Sequence, residues 1–214
     1  MELPDELQNA VEKAYSALNH KPDTWISPYY RKNIYNILNS IDENIGYKAS
    51  AWLSILAARY SLAKWQESCN NIEWKSEKDK PEYYLYLAKR VLAETLDPSK
   101  VINRLDAFEQ ATKTIYNGDW DRYYISIMAQ ACFVALRVSL GKDSFLDIEL
   151  TKKTIDPNGY EVLRPNPYWD TAFYAASAYS LNFQDHNETV AHEFWEWWLT
   201  EAIPQAWDLA HQNI

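Results

Sequence analysis

Ala49-Ser50-Ala51-Trp52-Leu53-Ser54-Ile55-Leu56-Ala57-Ala58-Arg59-Tyr60-Ser61-Leu62-Ala63-Lys64-Trp65 is the stretch that decides the fold. It is nearly all apolar and contains neither glycine nor proline. Leu53, Leu56, Ala57, Tyr60 and Ala63 recur at three- and four-residue spacing, which is the period of a helix. A segment this apolar must be covered by neighbours, so it predicts a buried central helix in a helical assembly.

Working outward, the flanking segments read the same way. Pro4-Asp5-Glu6-Leu7 opens a helix with Leu7, Val11, Ala14, Tyr15 and Leu18 on one stripe, ended by Asn19-His20-Lys21-Pro22. Ser27-Pro28 is an N-cap followed by a proline at the first helical position, and Ile34, Ile37, Leu38 and Ile41 follow behind it. Beyond the central stretch, Lys75 to Lys80 forms a charged linker. Pro81 then opens a helix carrying Tyr84, Leu87, Val91 and Leu92 inward. Asp97-Pro98 begins another, with Val101, Leu105, Phe108 and Ile115, stopped by Asn117-Gly118. Asp119 caps a helix from Trp120 to Leu140, closed by Gly141. Residues 143–166 break the pattern: Phe145 to Leu150 alternates, and Asp156-Pro157-Asn158-Gly159 is a strong turn. This segment reads as a long loop or a small β-hairpin inserted between helices. Helix resumes through Trp169–Leu181 and again from about Glu188 to Ala210. The expected architecture is one all-α domain over residues 1–214, with seven or eight helices and an irregular insertion near 143–166.

Composition narrows the function. The chain has 214 residues, a formal charge of -9, 47% hydrophobic and 15% aromatic residues, and only four glycines. That hydrophobic content excludes a disordered chain. The acidic balance argues against direct nucleic-acid binding, which needs Lys and Arg to displace phosphate counterions. Four glycines leave little material for phosphate-cradling loops. The acidic start, Met1-Glu2-Leu3-Pro4-Asp5-Glu6, is unlike a secretory signal. The most apolar stretch, Ile125 to Leu140, holds Gln130 and Arg137 and is too short to span a membrane. Cys69 and Cys132 lack C-x-x-C spacing and read as buried thiols of a reducing compartment. The chain is therefore expected to be soluble and cytoplasmic.

Motifs for chemistry are weak. Glu188, His192 and Glu196 share a helical face with His186 nearby, but a metal-bearing bundle needs a second Glu-x-x-His helix. A solvated polar face is the better reading. No Gly-x-Ser-x-Gly elbow is present, and neither cysteine has a nucleophile's local signature. Asp119 and Asp121 near Trp120, or Asp170 near Trp169, could be the paired acids of a sugar hydrolase. An Asp at a helix start is more often a cap. No catalytic residue, metal or cofactor is assigned.

The charge distribution is sharper than any motif. From Pro165 to the end there are seven acidic residues and no Lys or Arg: Asp170, Asp185, Glu188, Glu193, Glu196, Glu201 and Asp208. Arg59, Arg90, Arg104 or Arg122 could neutralise some of them, but a surplus should remain as a negative patch that steers a basic partner. On a projection of residues 188–208, Ala191, Trp195, Trp198, Leu199 and Ala202 form the buried stripe. Trp197 falls on the other side, one turn from Glu193 and one from Glu201. Two readings stay open for it: an interface anchor, or a ring covered by another helix or by the insertion. Glu193, Glu196, Trp197, Glu201 and Asp208 are the candidate partner-binding residues.

Phe194-Trp195-Glu196-Trp197-Trp198-Leu199-Thr200-Glu201-Ala202-Ile203-Pro204-Gln205-Ala206-Trp207 resembles the C-terminal F-W-E-W-[YW]-L-x-E-A-[VI]-P-x-A-W motif of immunity protein family five, from bacterial polymorphic toxin systems. Ala172 to Ala178 is similar to that family's Tyr/Ala-rich helix. The central stretch, followed by Pro81, is similar to its L-x-x-L-x-A-R-x-V-L-P-x-W segment, although Ser61-Leu62-Ala63 departs from Val-Leu-Pro. The resemblance covers roughly residues 50–95 and 165–210. It implies a helical cytoplasmic protein without catalytic residues or cofactor that binds and blocks a cognate toxin domain; a basic nuclease would suit the acidic surface. It also implies that Trp52, Arg59, Trp65, Trp195, Trp198, Pro204 and Trp207 hold the fold, while specificity sits on loops such as 143–166 or 66–80. Pro204 should end or kink the last helix and turn Trp207 to a new direction, to close the core or to form a surface corner. A helical enzyme and a helical interaction scaffold remain as alternatives.

Overall fold

The computed structural model describes residues 1–20, 25–68, 80–116, 120–142, 170–182, 185–186 and 188–212. The expected insertion at 143–166, most of the charged linker, Cys69, Trp169, Gly118 and Asp119 lie outside the described residues.

Each helix begins where capping chemistry allows. α1 (Asp5–His20) carries Asp5 and Glu6 in its first turn, against the positive end of the helix dipole. The Ser27 hydroxyl accepts the Tyr29 N–H at 3.3 Å, and Pro28 opens α2 (Pro28–Ile41) where no backbone donor is needed. The Asp42 carboxylate accepts the N–H groups of Asn44 and Ile45 at 3.0 and 2.8 Å and launches α3 (Glu43–Ser68) directly from the end of α2. α4 (Pro81–Leu92) again starts on proline. The single turn α5 (Pro98–Ile102), capped by Asp97 on Ser99 N–H, is followed by α6 (Leu105–Tyr116) and α7 (Trp120–Ser139). α8 (Thr171–Ser180) leads into two-residue strands, β1 (Leu181–Asn182) and β2 (Asp185–His186), paired antiparallel. α9 (Glu188–Trp197), a π turn (Trp198–Ala202) and α10 (Ile203–His211) complete the described chain.

The fold is all-α, as the periodicity predicts. One expected helix is broken: residues 98–116 divide at Asn103-Arg104, where Arg104 N–H bonds back only three residues to Val101. Val101 and Phe108, on either side of the break, are both buried in the core.

α3 is the axle of the structure and packs against α2, α4, α7, α8 and α10. It is buried around most of its circumference rather than along one stripe. Ala49, Ala51, Leu53, Ile55, Ala57, Ala58 and Leu62 are inside, together with Ser50, Ser54 and Ser61. Ala63, expected inside, is exposed. Small residues make this crowding feasible: Ser61 donates to the Ala175 carbonyl of α8 at 2.7 Å, and α8 itself reads Thr-Ala-Phe-Tyr-Ala-Ala-Ser-Ala-Tyr-Ser. Gly46 marks the tightest approach. A Cβ there would fall on the Leu38 carbonyl and within 2.8 Å of the Asn39 Cα, both backbone atoms of α2.

A candidate partner-binding face

The last helical run is seated on a polar hub. Asp170 lies just before α8, where its Oδ1 accepts the Phe173 N–H at 2.8 Å, so it is a helix cap. It is also ion-paired: Arg31 Nε lies 3.1 Å from Oδ1 and 3.2 Å from Oδ2, and both side chains are almost fully buried. Arg31 further donates to the Ile26 carbonyl at 2.6 Å, and its guanidinium sits over the rings of Phe173 and Trp195 at 5.5 and 5.6 Å. Trp25 closes the hub against Phe173 and Trp195. Burial holds the Asp170 carboxyl above the ordinary carboxylate range, opposed by the Arg31 charge and the Phe173 N–H. The partner of Asp170 is thus Arg31, not Arg59, Arg90 or Arg104; the side chain of Arg122 lies outside the described residues. As one of the proposed sugar-hydrolase acids, Asp170 is enclosed by protein and occupied; the side chains of Asp119 and Asp121 lie outside the described residues.

From this seat α9 runs with the predicted inner stripe inside: Ala191, Trp195, Trp198, Leu199 and Ala202 are all buried. Trp195 and Trp198 meet edge to face at 5.7 Å, and Trp198 also contacts Tyr35. The indole N–H groups of Trp195, Trp198 and Trp207 have no acceptor among the described residues, so these rings act as apolar bulk. Of the other residues expected to hold the fold, Trp65 is buried, Trp52 and Pro204 are half-buried, and Arg59 is exposed.

Pro204 does not end the helix. Its missing N–H leaves the turn before it free to widen, and the Ile203 N–H reaches back five residues to the Trp198 carbonyl. The π turn absorbs the proline within a continuous helical path, and Ile203, Ala206, Trp207 and Ala210 continue the buried stripe beyond it. Trp207 therefore closes the core.

The outer stripe of the same run carries the candidate binding residues. Glu193, Glu196, Thr200, Glu201 and Gln205 are exposed, with Trp197, Pro204 and Asp208 half-exposed between them. Trp197 is anchored on one face: its ring stacks on Tyr60 of α3 with centroids 3.8 Å apart and planes 7° from parallel. Tyr60 in turn stacks on Tyr179 of α8 at 5.1 Å, and Lys64 Nζ lies 3.9 Å from the Tyr179 ring centre. The covering helix of the second reading is therefore α3, and it covers Trp197 only in part. A stacked ring has few orientations left, so Trp197 is held rigidly between Glu193 and Glu201.

Two of the acids reach α1, which lies beside α9 and the π turn. Tyr15 donates its hydroxyl to Glu196 at 3.0 Å, and the Met1 ammonium sits 2.7 Å from Asp208. These contacts run α1 antiparallel to α9–α10. α1 brings exposed Asp5, Glu6 and Glu12 against a single exposed Lys13. Among the described residues, no Lys or Arg ion-pairs with Glu193, Glu196, Glu201 or Asp208. Of the seven C-terminal acids, Asp170 alone is neutralised by an arginine there; the side chains of Asp185 and Glu188 lie outside the described residues. The side chains of His186 and Glu188, two members of the candidate metal set, thus lie outside the described residues, and Glu196 of that set accepts the Tyr15 hydroxyl. Among the described residues no cluster of metal-ligating side chains occurs, and no helix is long and apolar enough to cross a membrane.

Tyr60, Tyr15 and Arg31 escaped sequence reasoning because their partners are 137 (Trp197), 181 and 139 residues away. The acids of α1 were visible as composition, but nothing local placed them beside the C-terminal helices.

A family model described as Immunity protein Imm5 matches residues 11–205 of the chain. No curated protein matches it.

Proposed function

Because the chain belongs to the immunity protein family Imm5, we propose that it binds a cognate toxin domain and neutralises it through the acidic face of α9–α10 and the adjoining α1. The reading is carried by one observation: four carboxylates line the outer stripe of residues 193–208, a run without Lys or Arg, and among the described residues only Asp208 meets a cation, the Met1 ammonium. Such a face repels acidic surfaces and attracts basic ones, raising the encounter rate before any close contact forms. Trp197, pinned on Tyr60, gives the face a rigid apolar centre, the pattern of an anchor within a polar rim. A basic toxin domain, such as a nuclease that grips phosphates with Lys and Arg, presents the complementary charge. Inhibition then needs no chemistry by this chain, only occupation of the toxin's surface, in the cytoplasm where the toxin would act. Residues 143–166, expected from the sequence to be an insertion between helices, are the place for specificity that differs from one family member to another.

The test is association with the toxin domain encoded beside this chain, measured at two ionic strengths, together with growth rescue on co-expression. We expect rescue, and an association rate that falls about tenfold or more between 50 and 300 mM salt as the Debye length shrinks. A salt-independent rate with intact rescue would remove the acidic face while leaving immunity standing. Failure of rescue would remove the immunity reading itself.

A further inference from the structure

Charge on this chain is sorted by helix, and the two signs meet at a stack of rings. Between Glu43 and Glu67, α3 carries Lys48, Arg59 and Lys64 and no acid. From residue 188 to residue 208 the chain carries five acids and no Lys or Arg. The two runs touch where Trp197 stacks on Tyr60, with ring centres 3.8 Å apart. On the α9 side, Glu193 stands four residues before Trp197 and Glu201 four residues after it, both exposed. On the α3 side, exposed Arg59 adjoins Tyr60, and Lys64 follows four residues on with Nζ 3.9 Å from the Tyr179 ring centre. Tyr179 itself stacks on Tyr60 at 5.1 Å. Trp197, Tyr60 and Tyr179 are all half-buried, so a seam of three rings reaches the surface with acids along one margin and cations along the other.

Neither margin is neutralised within the chain. Among the described residues Arg59, Lys64, Glu193 and Glu201 take part in no ion pair, and the rings between them hold the two margins apart. A wholly basic partner laid across the seam is repelled by Lys64 and Arg59, and a wholly acidic one by Glu193 and Glu201. The surface that fits both margins carries the same charges in reverse order, and the chain itself supplies it. Turned by half a rotation about an axis through the seam, a second copy sets its cations against the acids of the first and its acids against the cations. A two-fold contact demands this arrangement, because each patch must complement itself. Aromatic rings at the centre with charges at the rim are also the composition such contacts favour.

We propose that a second copy of this chain docks on the Trp197–Tyr60–Tyr179 seam as a two-fold dimer, with Lys64 of each copy set against Glu193 of the other. The dimer itself does not depend on the toxin reading. Its consequence rests on that reading: both contacts use Trp197, so toxin and second copy compete for it. The toxin's footprint then extends toward Glu196, Asp208 and α1, away from the cations of α3.

The test is sedimentation velocity of the full chain alone, over about 1 to 200 µM protein and at about 50 and 300 mM salt. We expect a dimer with a dissociation constant on the order of 10 µM at low salt, in keeping with a small contact, and about tenfold weaker at high salt. Lys64→Glu and Glu193→Lys should each weaken it by about tenfold or more, since every change acts at two symmetry-related contacts. Mixed in equal amounts, the two variants should recover the dimer, because each presents to the other the charges it no longer presents to itself. Recovery also shows that both variants are folded. A wild-type chain that stays monomeric at about 200 µM would overturn the proposal. So would a dimer indifferent to both substitutions, which places the contact elsewhere, or one that the mixture fails to restore. No toxin is present in these measurements, so failure of the immunity reading leaves their outcome standing.

Discussion

Replacing Trp197 by Ala separates the two roles its position allows. The ring is half-buried, so the truncation should cost about half of the 3–5 kcal/mol seen for a fully buried Trp, or about 2 kcal/mol. Part of this, about 1 kcal/mol, is the stack on Tyr60. Against a domain stability of about 5–15 kcal/mol the variant stays folded. Its melting temperature should fall by about 4–8 °C for a chain of this length. Toxin binding should weaken by more than that loss would explain, by about 30-fold or more, because a rigid Trp at the middle of a charged rim is the residue type that dominates such interfaces. Tyr60→Leu is the companion: it keeps the Trp but frees its orientation, and should weaken binding by less than tenfold. Far-UV circular dichroism during urea unfolding measures stability without relying on the deleted fluorophore, and surface-immobilised toxin measures binding. Collapse of the Trp197→Ala fold would make the ring a core element; wild-type binding by a folded variant would refute the anchor outright.

Charge reversal at Glu12 on α1 should slow toxin association in the same sense as reversal at Glu193 or Glu201, by several-fold at low salt and little at high salt; stopped-flow rates that respond only to the α9 changes would exclude α1 from the face. Gly46→Ala gains about 1 kcal/mol of helix propensity but drives a methyl into the backbone of α2. We expect a net loss of about 1–3 kcal/mol as the two helices separate, and a thermal melt showing stabilisation would contradict the close approach. For Asp170, burial favours the protonated form in the folded state. Its contribution is therefore complete below the unfolded carboxylate pKa of about 4 and lost as pH rises through the raised value. The stability difference between wild type and Asp170→Asn, measured by urea unfolding from pH 4 upward, should decline with rising pH, and a flat or rising difference would show that Arg31 outweighs burial.

Much of the fold is legible from local pattern, and the exceptions have causes that are not local. The inner stripe of α9 could be read from spacing because one helix face suffices to describe it. The same logic misplaces Ala63, since α3 is enclosed by five helices and its small residues decide how close each can come. Pro204 reads as a stop or a kink when only its missing N–H and ring are considered; the buried groups on both sides of it, Trp198 and Trp207, hold the path continuous and leave the widened turn as the cheaper solution. The candidate face was half visible. Its acids and its Trp sit within one run of sequence, but the ring that orients Trp197, the hydroxyl that holds Glu196 and the second acidic helix come from the other end of the chain. Arg31 is unremarkable in sequence and becomes the centre of a hub only when Asp170, Phe173 and Trp195 arrive around it.

The position of α3 at the axle has a consequence in time. Two of the helices that cover it, α8 and α10, are made last, so the ribosome releases an apolar helix whose covers do not yet exist. From Trp65 to Ala210 is roughly 145 residues, which at about 5–20 residues per second is roughly 7–30 s of synthesis. During that interval α3 has α2 and then α4 and α7 for company, and its faces toward α8 and α10 stay bare. A nascent chain in this state is a target for chaperones and aggregation, and the hub, the Tyr60 stack and the acidic face are completed together only at the end.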